Sequence, residues 1–304
     1  MIRRLAGSFL LCAALGLALA APHSSAQQPA APIKIGIIKT FFNDLPQSFI
    51  DVAGDVFADA MKGVTGLEGK LFTDDLAFEN AEKLDKGQLD IAVFHGHEFA
   101  WVQKKYPKLV PLVIATNKHN EVKAYVIVRK DSPAKSLADL RGKKLDVPMG
   151  TKQHCAIYLN KHCIDNNQND PKAYFSAITR SSTFATALDG VCFGTSDAAL
   201  LDTIGLEIYR EAKGPVFEKN LRILQQSESF PSPVVVYKEG ALDAATMKKL
   251  RDGLLSAQNN QAAQGIIQMW QIKAFEPIPN SYAQNLADTL KLYPSPEPTK
   301  VSMR

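Results

Sequence analysis

Cysteine is nearly absent from this chain, with four in 304 residues. A disulfide scaffold is therefore excluded, and the fold must rest on its hydrophobic core. Cys12 lies inside an N-terminal apolar run. The other three, Cys155, Cys163 and Cys192, allow at most one bridge and leave a thiol over. An excess of one charge is lacking too. With Arg3 and Arg4 set aside, 33 basic residues face 31 acidic ones, and there is no basic stripe or tail of the kind nucleic-acid binding needs. After the N-terminus no run approaches eighteen consecutive apolar residues, so no membrane span is expected. A nucleophile elbow, a Walker loop, a metal-binding helix motif and a dinucleotide fingerprint are all missing, which argues against an enzyme and against a bound cofactor.

What is present begins with a leader. Arg3 and Arg4 precede an apolar run from Leu5 to Ala20 followed by small residues, the pattern of a secretory signal peptide. Small residues stand before two candidate cleavage points, after Ala20 and after Ala26, and the second is preferred, giving a signal over 1–26. Residues 27–32 read as a flexible leader and 294–304 as a Pro-rich tail. The mature chain is expected to be soluble, untethered and periplasmic, with length enough for a large core or two domains.

From Ile33 onward, strand-like and helical stretches alternate. IKIGII reads as a buried strand, and Leu45, Phe49, Val52, Val56 and Ala60 recur at helical spacing before Gly63. Strands follow at 69–72, 89–94, 109–115 and 124–128, with helices at 77–86 and 98–105 between them. A short capped helix in SLADLRG leads to the strand of KKLDV, and a further helix is expected from near Thr151. Later come a helix at 183–191 and strands at 196–200, 221–224 and 233–237, then three helices at 241–257, 260–270 and 281–292. This alternation implies an α/β fold with mostly parallel sheets and a helical C-terminal segment.

The order of pieces then resembles a family. KIGIIKTFF, LDIAVFHGHEF, AYVIVRKDSPAKSLADLRGKKLDVPMGT, GTSDAALLDT and LQQSESFPSPVVVYKEGALD look like segments of the phosphate, phosphite and phosphonate-binding proteins of ABC importers, which are type II periplasmic binding proteins. The resemblance covers Ile33 to about Tyr293. It implies a two-lobed fold, with 33–123 plus 234–293 as lobe 1 and 124–233 as lobe 2. It also implies a monomer that closes on a small oxyanion and presents it to an ABC permease in the inner membrane. In this family the GTKQH stretch is richer in Ser and Thr, and paired loop histidines are not the usual signature, so phosphonate, phosphite and phosphate all stay open.

Candidate ligand-binding residues sit in loops at strand ends, where open α/β sheets bind ligands. After the first strand come Thr40, Phe41 and Phe42; two adjacent Phe cannot both face one core, so one of them is free to wall a cleft. After LDIAVF come His95, Gly96 and His97. The loop PMGTKQHC supplies Gly150, Thr151, Lys152 and His154, and it reads either as a simple Thr cap or as an anion cradle at a helix start. Ser181, Ser182 and Thr183 open the helix at 183–191, and Asp202 follows a strand; Glu228 and Ser229 are weaker candidates.

Two other functions compete with import. A sensory module could hand its closed form to a membrane receptor, and His95-x-His97-Glu98 could take copper or zinc. Pooling the His154/Cys155 and His162/Cys163 pairs on one metal is disfavoured, because eight helical residues separate them by roughly 12 Å. The same spacing forbids a Cys155 to Cys163 bridge on a continuous helix.

Overall fold

A computed structural model describes residues 31–118, 122–165 and 170–295. The expected signal peptide and most of the Pro-rich tail lie outside the described residues. β1 (Ile33–Ile37) leads through a 3-10 turn at Lys39–Phe42 into α1 (Gln47–Thr65). β2 (Gly69–Phe72), α2 (Ala77–Asp85), β3 (Ile91–Phe94), α3 (Gly96–Gln103) and β4 (Leu109–Asn117) complete the first run. The chain crosses to β5 (Ala124–Arg129), β6 (Lys144–Asp146), α4 (Gln153–Asp165), α5 (Pro171–Tyr174), β7 (Ala177–Thr179), α6 (Phe184–Phe193), β8 (Ala198–Asp202), α7 (Thr203–Asn220) and β9 (Leu221–Gln226). It returns through β10 (Val234–Lys238) to α8 (Ala244–Ser256), α9 (Gln264–Met269), β11 (Ile272–Glu276) and α10 (Tyr282–Leu292).

Two sheets result, ordered β11-β4-β10-β3-β1-β2 and β7-β6-β8-β5-β9. The α/β class and the two-sheet build match expectation, but the pairing corrects it. β1 with β2 and with β3, and β6 with β7 and with β8, are parallel. All pairs made by β5 and β10 are antiparallel, as is β11 with β4. β5 and β10 follow the passages from one sheet to the other, so they enter against the direction set by the βαβ units.

Four elements escape the sequence reading, one of them the single-turn α5. α7 is obscured by Gly214 and Pro215, and the helix is broken at Lys213, two residues before the proline. β7 has only three residues, and β11 is a half-buried edge strand in the gap between the helices expected at 260–270 and 281–292. Another strand is shifted: β8 runs to Asp202 rather than ending at Leu200, so Asp202 becomes both its last residue and the N-cap of α7.

Each sheet buries both faces. One face of the first sheet packs Ala92, Phe94 and Val234 against α2, α3 and α10, and the other packs Ile35, Ile37, Ile91 and Val235 against α1 and α8. The second sheet is filled on one face by Cys155, Tyr158, Cys163 and Tyr174, and on the other by Leu188, Leu206 and Tyr209. Cys155, Cys163 and Cys192 are all free thiols. The apolar stripe of α1 behaves differently from its spacing. Phe49, Val52 and Val56 are exposed, and burial is carried by Ala53, Ala60 and Met61. No helix among the described residues is long and apolar enough to cross a membrane.

Candidate functional site

A cavity of about 140 Å³ opens where the loops of the two sheets meet. Among the sequence candidates, Phe41, His95, Lys152, His154 and Asp202 line it.

His95 stands at the N-cap position of α3 without a side-chain capping bond. It is buried, its ring stacks on Phe41 at 3.8 Å, and its Nε2 has no hydrogen-bond partner. Burial holds its pKa down to about 3, with His154 and Lys152 adding to the effect, so the imidazole is neutral. Phe42, by contrast, turns into the core against Trp270. The adjacent pair thus divides between cleft and core.

Gly96 is required by packing. A Cβ there would stand 2.2 Å from the Pro231 carbonyl oxygen, where the returning segment crosses the start of α3. His97 lies deeper, off the cavity, between His95 at 5.4 Å and the rings of Trp101 and Phe230. Its Nε2 is also without a partner, and burial drives its pKa well down. Glu98 is buried as well. Desolvation raises its pKa to about 7 against the opposing pull of the Thr40 hydroxyl, which donates to Oε2 at 2.9 Å. Thr40 therefore supports the loop rather than lining the cavity.

The PMGTKQHC loop is arranged otherwise. Gly150 has φ of +80°, and α4 starts only at Gln153 instead of near Thr151. The Thr151 hydroxyl donates to the Pro148 carbonyl at 2.7 Å, and the Gly150 N–H donates to Asp44 Oδ2 at 3.1 Å. Asp44 also receives the Arg180 guanidinium, and Asn43 donates to Gln153 at 3.1 Å. These contacts clasp the first-sheet loops to the second-sheet loops. Lys152 and His154 remain on the cavity; His154 is buried, its Nε2 lies 3.2 Å from the Lys123 carbonyl, and burial lowers its pKa.

Ser181 donates to Asp146 at 2.6 Å, Ser182 is exposed, and Thr183 caps α6 by accepting from the Thr186 N–H at 3.0 Å. None of the three lines the cavity. Asp202 does. It is 2 % exposed; Oδ1 accepts from the Gly205 N–H at 2.7 Å, and Oδ2 has no partner. A buried carboxylate oxygen without a donor is costly, so a group entering the cavity can relieve it.

Among the described cavity-lining residues, Lys152 is the one lysine or arginine and Asp202 the one carboxyl side chain. Thr116 and Asn117, in the part of β4 that extends beyond the strand expected at 109–115, and Gln271 add polar atoms that the sequence reading missed. Asp44 and Arg180 were missed for a different reason. Their pairing spans 136 residues of sequence, and no local pattern announces it. Among the described residues no three His, Cys, Asp or Glu side chains come together to hold a metal ion.

Two α/β halves joined by crossing segments, with a small cavity at their junction, define a periplasmic-type binding protein. Residues 52–282 match the family described as ABC transporter, phosphonate, periplasmic substrate-binding protein, and the chain belongs to that family. Membership implies a small ligand, an ABC permease partner and a periplasmic location, and it is a transport family rather than one of enzymes. Solved structures give the same fold. A binding component of an ABC phosphonate transporter from Pseudomonas aeruginosa aligns with TM-score 0.54 and 19 % identity over 86 % of this chain and 87 % of its own. A Prochlorococcus marinus protein in complex with methylphosphonate gives 0.56 and 15 %, over 85 % and 97 %. A Xanthomonas citri protein bound to ATP gives 0.57 and 18 %, over 86 % and 96 %. A search of the curated proteins gives no match.

Proposed function

We propose that this chain, acting as a monomer, captures a phosphorus oxyanion, a phosphonate before phosphite or phosphate, between two lobes. The closed form then delivers it to the permease. Lobe 1 would comprise 33–123 with 234–293 and lobe 2 124–233, closing as the ligand adds contacts that exist only when both meet it.

The observation that carries this reading is the pair of buried, unpartnered atoms at the cavity, His95 Nε2 from the first half and Asp202 Oδ2 from the second. Lys152 offers one positive charge to an oxyanion. A singly protonated phosphonate fits this set better than a dianion, because its hydroxyl can donate to Asp202 while an ionised oxygen faces Lys152.

Thermal unfolding of the mature protein against phosphate, phosphite, alkyl- and aminoalkylphosphonates, sulfate, ATP, copper and zinc tests the reading. A ligand present at a hundred times its Kd adds about 2.7 kcal/mol and moves the midpoint by several degrees. A shift with a phosphonate supports capture. A shift with metal alone, or with none of the oxyanions, overturns it.

A further inference from the structure

We infer that the ligand of this site carries, beside its oxyanion, a short apolar substituent of about three carbon atoms that enters the space between the first sheet and α1. The inference rests on the oxyanion reading above and adds a substrate class to it.

The cavity has two unlike ends. Its apolar floor is formed by Ile35 and Ile37 of β1, Ile91 and Val93 of β3 and Val235 of β10. Register brings them side by side. Ile35 pairs with Ile91, and Val93 pairs with Ile37 on one side and Val235 on the other. Pleating sends alternate residues to one face, so these five present one continuous aliphatic surface. Opposite stand Phe57 and Met61 of α1, Leu254 of α8, and Trp270. The other end holds His95, Lys152, His154 and Asp202.

A bare phosphonate, phosphite or phosphate would occupy the polar end alone. The aliphatic and aromatic walls would then face water, which is unfavourable for apolar surface. A six-carbon ring alone fills an apolar cavity near 150 Å³, and this one measures about 140 Å³ with its polar end included, which leaves room for about three carbon atoms beside the head group. The two orphaned polar atoms of His95 and Asp202 fix where the head group lies, which leaves the apolar end to a substituent on phosphorus. Short alkylphosphonates have that layout.

The test is calorimetric titration of the full mature chain with n-alkylphosphonates from methyl to octyl and with phenylphosphonate, alongside n-alkylsulfonates of the same lengths. Affinity is expected to rise about fourfold per methylene up to propyl or butyl and then to level or fall, with phenylphosphonate binding no better than propylphosphonate. Trp270, in the apolar wall, should change its emission with the longer chains, and Trp270→Phe should remove that signal. Ile91→Phe, which fills the floor, should flatten the trend. If methylphosphonate binds and longer chains bind no better in wild type, the apolar inference is overturned and the oxyanion reading survives. If sulfonates rise with length and no phosphonate binds, the apolar inference stands and the phosphorus reading falls. Binding by neither series overturns both.

Discussion

Two loops at helix starts face each other across the cavity, and they use the same residue types in opposite ways. In His95-Gly96-His97-Glu98 the side chains are buried, the imidazoles are neutral, and two ring nitrogens have no partner. In Pro148–Cys155 the donors that suggest an anion cradle are largely taken up: the Thr151 hydroxyl by Pro148 and the Gly150 N–H by Asp44. A loop rich in Gly, Thr and Lys advertises binding, yet local turns and a clasp account for much of it. The plainer loop carries the unsatisfied chemistry. Residue type indicates what a group can donate; burial and partners decide whether anything is left to offer.

The largest way to break this contrast is Gly96→Ala. Its Cβ would meet the Pro231 backbone at 2.2 Å, which a rigid carbonyl cannot yield to, so the variant should lose about 3 kcal/mol of stability in urea unfolding and should bind no ligand. A stable, binding variant would remove the packing argument for this loop.

The second test uses pH. Folded Glu98 ionises near 7, against an ordinary value of 4.5. The folded state therefore holds an extra proton between those values, and this group makes stability fall as pH rises from about 4.5 to about 7. His95, held to about 3, acts in the other direction: stability is lost as pH falls from about 6.5 towards 3, where the unfolded chain takes up a proton that the folded one refuses. Glu98→Gln removes the first effect alone. Relative to wild type it should gain about 2 to 3 kcal/mol as pH rises through 4.5 to 7, and the difference should stay constant above 7. A pH-independent difference would contradict the buried, protonated carboxyl.

Comparing the loops directly, His95→Ala should weaken phosphonate binding at least tenfold, about 1.4 kcal/mol, as measured by calorimetry. Thr151→Ala should change it less than about twofold, because its hydroxyl proton already serves Pro148. The reverse ranking would return the anion cradle to PMGTKQHC. The smallest effect belongs to the clasp. Arg180 is half exposed beside Asp44, and Arg180→Ala should cost less than about 0.5 kcal/mol of stability.

Much of the fold was legible because hydrophobic period and turn residues agree along most of the chain. β2 runs over 69–72 as read, and α10 (Tyr282–Leu292) differs by one residue at its start. Legibility failed where signals conflict or vanish: Pro215 inside α7, the three residues of β7, and the sheet directions, which depend on long-range crossings. At the site, the loops were visible and their partners were not. Nothing local in sequence states that Thr151 turns onto Pro148, that Asp44 reaches Gly150 across 106 residues, or that Gly96 lies under Pro231. The apolar floor was equally hidden, since Ile35, Ile91 and Val235 read as ordinary core until the register shows an unfilled space above them.

The most direct measurement is imidazole 15N NMR of histidine-labelled protein titrated with methylphosphonate. The account predicts that the His95 and His154 ring signals move with ligand while that of His162, on the far part of α4, stays in place. Movement of His162 with no change at His95 would contradict it.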